Sequence, residues 1–206
     1  QFKGRRIAIG GSGSGSHHLA TQLLDANGID ASNSKIVETG GLALVEAFAS
    51  QRIDVAFVVG PTQSATVWTL LYTPGVRLMS LAQAEAYTRR FPHLSKIVLP
   101  QGAIDLERNL PARDVDLVAS VATILVREGT HPALIDLLTQ AADEVHGAPG
   151  VFQKPDEFPK PMAVDFPLSP QSERYYKSGK PFLQRYLPFW AATLVDRLVV
   201  LLIPFF

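Results

Sequence analysis

The stretch "RRIAIGGSGSGSHHLATQLLDANG", residues 5–28, decides how the rest of the chain is read. Its opening, RIAIG, runs apolar without a break after Arg6, as expected of a strand buried on both faces. Its close, HHLATQLLDANG, places leucine and alanine at helical spacing and reaches Gly28, where a glycine that ends a helix belongs. The GSGSGSHH between them would also suit a cloning linker running into a purification tag. A linker, however, has no reason to join a strand and a helix that fit together as one βα unit. The segment is therefore a strand-to-helix turn.

A glycine-rich turn feeding a helix exposes unpaired N–H groups at the positive end of the helix dipole. Phosphate or carboxylate suits such a turn. A plain structural turn capped by Ser16 is the other reading, and the sequence leaves both open. The stricter motifs fail. Gly10 and Gly15 have P-loop spacing, but Ser16 stands where the lysine is needed. GGSGSGS does not fit GxGxxG with an acidic partner about 20 residues on.

Outward from this turn, strand-like runs are predicted at 6–9, 35–38, 55–59, 77–80 and 96–99. Helical patterns at 17–27, 42–51, 64–72 and 81–91 alternate with them. Such alternation implies βαβ units, an α/β fold with a mainly parallel sheet flanked by helices. "VDLVASVATILVRE" (115–128) reads as one long returning strand. Residues 132–147 follow as a helix buried through Ala133, Leu134, Leu137, Leu138 and Ala141. Residues 148–170 hold six prolines in 23 positions, an extended and semi-rigid tail. A short helix capped by Ser169 and stopped at Gly179 comes next.

Composition narrows the function. Hydrophobic residues make up 47% and charged residues 18%, enough for a core. Lys plus Arg equals Asp plus Glu at 19 each, and no basic patch is interleaved with aromatics, so nucleic acid is not expected as a partner. The absence of cysteine excludes disulfides, thiolate metal sites and a cysteine nucleophile. QFKGRR carries no signal peptide, and the chain is expected to begin mid-protein. Its end, "YLPFWAATLVDRLVVLLIPFF" (186–206), is apolar except for Asp196 and Arg197, a charge pair that disfavours a span there. It is expected to open a membrane segment.

Neighbouring His17 and His18 point about 100° apart on a helix, so they do not readily share a metal, which favours i, i+4 spacing. No metal or cofactor is expected. Nor is a hydrolase, because no G-x-S-x-G elbow exists. Asp54 at a strand entry is read as solvated. Trp68, Tyr72 and Tyr87 are expected to pack on the sheet. Tyr175, Tyr176, Phe182, Tyr186 and Trp190 suit either a membrane interface or packing.

"FKGRRIAIGGSGSGSHHLATQLLDANGID" resembles the start of the second lobe in the TAXI family of TRAP-transporter solute receptors. "RIDVAFVVGPTQSATVWTLL" is similar to that family's acidic strand and its Gly/Pro turn. "YKSGKPFLQRYLPFWAATLVDRLVVLLIP" resembles the juxtamembrane tail of anchored members. The resemblance implies a periplasmic-binding-protein-like fold of two lobes closing around a small organic anion, a carboxylate or amino acid. Residues 1–112 would be the second lobe, and 113–150 the returning part of the first, whose beginning is missing. Residues 151–206 would be a Pro-rich linker and apolar juxtamembrane helix. Gly13, Ser14, Gly15 and Ser16 would then offer donors to the ligand. Gly60, Pro61 and Thr62 would face the same cleft, joined by Thr39 and Gly40. The implied partner is the TRAP membrane subunit and the implied location extracytoplasmic, membrane-anchored, with no catalysis. The alternative is an α/β enzyme gripping a phosphorylated molecule at the Gly/Ser loop, with only His17 and His18 as acid or base.

Overall fold

The computed structural model describes residues 2–61, 63–155, 157–161 and 166–180, with 183, 186, 187, 191, 194, 195 and 198. The chain divides into two compact units, Gln1–Met79 and Ser80–Phe206.

The first unit is an α/β/α sandwich in miniature. Strands β1 (Arg6–Ala8), β2 (Lys35–Val37) and β3 (Val55–Ala56) form a parallel sheet in the order β2-β1-β3. Side chains of a strand alternate between faces, and β1 uses both. Ile7 and Ile9 pack with Ala20, Leu24 and Ile29, the face covered by helix α1 (Gly15–Ala26). Ala8 packs with Leu44, Ala47 and Leu70, the face covered by α2 (Ala43–Ala49) and α3 (Ala65–Tyr72). Ile7 and Ala8 are wholly buried, which is why RIAIG lacks polar alternation.

Helix α1 ends as its sequence predicts. Gly28, at φ +64°, donates to the Asp25 carbonyl (3.0 Å), and Ile29 N donates to the Leu24 carbonyl (3.0 Å). These two bonds make a Schellman end whose apolar pair, Ile29 and Leu24, joins the core. The helix begins two residues earlier than its pattern suggested, because Ser14 is the N-cap and accepts from His17 N at 3.1 Å. Ser16 is not the cap.

In the second unit, β4 (Leu94–Leu99) and β5 (Val115–Ser120) pair antiparallel, from Leu94↔Ser120 to Leu99↔Val115. Helices α4 (Ala84–Arg90), α5 (Pro132–His146) and α6 (Pro170–Ser178) accompany them. No strand forms at 77–80. Instead, Ser80 Oγ accepts from Asp116 N at 3.0 Å and Leu81 N donates to the Asp116 carbonyl at 2.8 Å. The long strand expected over 115–128 stops at Ser120, where β4 runs out of residues to pair with it.

The largest departure is α5. Its buried residues are Asp136 and Thr139, whereas Leu134, Leu137, Leu138 and Ala141 are exposed and Val145 is 70% exposed. The stripe predicted to be buried faces outward because α6 covers the opposite, polar side. Arg174 Nη2 donates to both Asp136 carboxylate oxygens (3.0 and 3.1 Å), and Thr139 and Ser172 share a hydrogen bond of 2.9 Å. Tyr175, 8% exposed, donates through its hydroxyl to Asp143 Oδ2 at 2.8 Å. Burial and that bond hold its phenol protonated well above the usual range. Tyr175 therefore packs against α5. Phe182 and Trp190 lie outside the described residues.

Candidate functional site

The strand order β2-β1-β3 places a topological switch point between β1 and β3. The chain leaves β1 toward a helix on one face and leaves β3 toward a helix on the other. In open α/β sheets the crevice outside the carboxyl ends of the strands at such a point is the usual ligand position. Three loops meet that edge: 10–14 after β1, 39–41 after β2 and 57–61 after β3.

The loops are tied together by short contacts. Gly10 N donates to the Thr39 carbonyl at 3.2 Å. A Cβ built on Gly40 would stand 3.4 Å from Gly10 Cα and 3.5 Å from Gly11 N, ordinary contact distances that place the two loops side by side. Gly10 itself has φ +90°, and a Cβ there would meet Ser16 Cβ at 2.8 Å and Ser14 Oγ at 2.9 Å. Ser16 Oγ accepts from Val59 N at 2.9 Å, which joins the first turn of α1 to the chain leaving β3.

Among the sequence-selected residues, Gly13, Ser14, Gly15 and Ser16 thus share one turn at this edge. Thr39 and Gly40 press on its start, and Gly60 and Pro61 stand just beyond the Val59 tether. Thr62 lies outside the described residues. The N–H groups of Ser12, Gly13, Gly15 and Ser16 donate to no acceptor among the described residues. The Ser14 and Ser16 hydroxyls each accept from a backbone N–H, so each retains its own proton to give. The edge is a donor-rich surface suited to an acceptor-bearing guest. Gly13 and Gly15 have open space where a Cβ would be, so they leave the approach to these donors clear.

Two residues here escaped the sequence reading. Gly10 is the interlocking glycine, and its signal was its place directly after a buried strand. Glu38 directly follows β2 and puts Oε1 at 3.6 Å from His17 Nε2.

Asp54 belongs elsewhere. It sits at the opposite, amino-terminal edge of the sheet and receives Arg6 N (2.8 Å), Arg6 Nε (3.0 Å) and Arg6 Nη2 (2.5 Å). Arg6 also donates to the Gln51 carbonyl. The Arg6 hydrogen bonds hold the Asp54 carboxyl far below its usual range. Asp54 is therefore neither a ligand of this site nor merely solvated. Trp68 and Tyr72 stack on each other, centroids 5.8 Å apart and planes 10° apart.

The sheet order, the glycine-cleared edge and the α/β/α layering agree with what sequence comparison finds. The chain belongs to the NMT1-like family, whose profile matches residues 1–178. This NMT1-like family is periplasmic-binding-protein-like and includes substrate-binding proteins of TRAP and ABC transporters, so a general solute-binding role follows for its members. The match covers the whole first unit and most of the second, through α6. No curated protein matches the chain. Among the described residues, no group of His, Asp and Glu could hold a metal ion, and no helix is long and apolar enough to cross a membrane. Most of 186–206, on which the expected juxtamembrane helix falls, lies outside the described residues.

Proposed function

We propose that this chain is the extracytoplasmic solute-binding component of a TRAP-type transporter, of the TAXI kind. In this reading it presents a small organic anion, a carboxylate or amino acid, to the membrane subunit by lobe closure without chemistry. The observation that carries the reading is the cluster of unengaged N–H groups of Ser12, Gly13, Gly15 and Ser16 at the β1/β3 switch point. Such amides stabilise a carboxylate where a helix dipole adds to their charge. Gly60, Pro61, Thr39 and Gly40 frame the ligand from the neighbouring loops.

The same reading assigns residues 1–112 to the second lobe, 113–150 to the first, and 151–206 to a linker and membrane-proximal segment. Its support is the surface of α5 and the chain before it. Ile124 and Leu125 are 60% and 59% exposed, directly beyond the paired part of β5. An exposed apolar segment followed by a helix with an outward apolar stripe presents the surface of a layer awaiting its neighbours. The remainder of the first lobe supplies them.

The test is a thermal-shift screen of the receptor in its natural length with glutamate, lactate and glucose 6-phosphate. A rise in melting temperature with a carboxylate is the expected result. Stabilisation by the sugar phosphate alone would overturn it in favour of an enzyme or receptor for phosphorylated molecules.

A further inference from the structure

Helix α6 meets α5 through polar side chains. Asp136, Thr139 and Asp143 stand three and four residues apart and so form one stripe along α5. Asp136 accepts from Arg174 (3.0 and 3.1 Å), Thr139 shares a hydrogen bond with Ser172 (2.9 Å), and Asp143 accepts from the Tyr175 hydroxyl (2.8 Å). The α6 sequence, PQSERYYKS, contains no alanine, valine, leucine, isoleucine or methionine, and Tyr175 is its buried residue. The exposed leucines of α5 lie on the opposite side.

Lasting contacts between elements gain from the apolar area that they remove from water. Polar contacts exchange water for protein partners and gain little net free energy. Surfaces that come together and part again are accordingly more polar than permanent ones. Lifting α6 from α5 uncovers two carboxylates and a hydroxyl, which water hydrates, and one tyrosine ring. The helix also carries its own ends. Ser169 accepts from Ser172 N at 3.2 Å, Pro170 opens the first turn, and Gly179, at φ +72°, donates to the Tyr175 carbonyl at 2.7 Å. Glu173 and Lys177 pair along it at 2.7 Å. Its helical form is thus encoded locally and is regained on each docking.

We infer that α6 is a releasable strap, which docks on the polar face of α5 and lifts off while both sheets stay intact. The inference stands apart from the receptor reading. Docked, α6 fixes the point at which the chain leaves α5 beyond Gly179. Released, it joins the proline-rich stretch before it to the chain after it as one continuous tether, and the reach of the C-terminal residues grows. The Arg174 side chain in the ion pair with Asp136 is 58% exposed, so dissolved salt competes with the contact and shifts the balance toward release.

Hydrogen exchange read by mass spectrometry on the full chain tests this, with the β4–β5 ladder as the internal reference. Amides of α6 are expected to exchange at least about a hundredfold faster than those of β4–β5. Urea below its unfolding range should leave the α6 rate unchanged, because lifting α6 exposes little surface. R174M should speed α6 by about tenfold and Y175F by about fivefold. Both variants should leave β4–β5 at its wild-type rate, which also shows that they fold. Raising sodium chloride from about 0.05 to 0.5 M should speed α6 by about two- to fivefold. Exchange of α6 at the β4–β5 rate, or a rise in urea in step with it, marks one cooperative unit and overturns the inference. So does a variant that speeds both elements equally. Fast exchange of α6 that ignores both substitutions overturns it too, since these contacts would then hold nothing.

Discussion

Ser16 Oγ accepts the Val59 N–H at 2.9 Å, and that bond crosses the switch point between β1 and β3. It makes one serine responsible for the spacing of two loops that belong to opposite faces of the sheet. Ser16→Ala should cost about 1 kcal/mol of stability, the usual worth of one such bond, measured by chemical denaturation. It should also weaken glutamate binding by widening the edge. Unaltered stability and affinity together would show the tether to be idle.

The glycines of the turn should separate cleanly. Gly10→Ala forces a side chain into a left-handed backbone and onto Ser16 and Ser14, and should destabilise by about 2–4 kcal/mol. Gly13→Ala, at φ +77° but in open space, should cost about 1–2 kcal/mol. Gly15→Ala lies in the helix with nothing within 4 Å and should stay within about 1 kcal/mol of neutral, on the stabilising side. If Gly15→Ala nonetheless abolishes ligand binding, the added methyl is obstructing the ligand and not the fold.

Asp54 gives the first unit an acid limb. Its carboxyl is held below its usual range by Arg6, so the folded state binds its proton less readily than the unfolded state does. The associated stability is present above about pH 4 and drains away as the pH falls further. Asp54→Asn should flatten this acid limb in melts taken from about pH 6 to 2. An unchanged acid midpoint would mean that the pair does not form in solution.

The α5–α6 contact should behave as a polar joint. Arg174→Met leaves Asp136, 8% exposed, without the donor shared by its two oxygens and should cost about 1–3 kcal/mol, with Asp136→Asn partly restoring the loss. Tyr175→Phe should cost about 1 kcal/mol by freeing Asp143. A double-mutant cycle on Asp136 and Arg174 separates their coupling from packing.

Leu138→Gln should do the opposite of what a buried leucine would. At 41% exposure it should change the stability of the chain as it stands by less than about 0.5 kcal/mol, and it should improve solubility. A loss of several kcal/mol would place the stripe against something within this chain.

The first unit was legible from its sequence because its signals are local. A buried strand, a glycine-ended helix and a turn between them each depend on near neighbours in the chain. The role of Ser16 was not legible, since its partner Val59 is 43 positions away and any serine in that turn could have capped the helix. Periodicity identified the face of α5 correctly but not its fate. The spacing of Leu134, Leu137 and Leu138 says that they lie together, whereas only the polar partners on α6 decide which side of the helix is covered. The long strand over 115–128 failed for a related reason. β-branched residues permit extension, but a ladder lasts only as long as its partner strand.

Gly10 is the position at which this edge tolerates no drift. At φ +90° a Cβ there would meet Ser16 Cβ at 2.8 Å and Ser14 Oγ at 2.9 Å, whereas one on Gly40 would stand at ordinary contact distance from the same loop. Across descendants of this sequence, position 10 should stay glycine while position 40 takes alanine without loss of the fold.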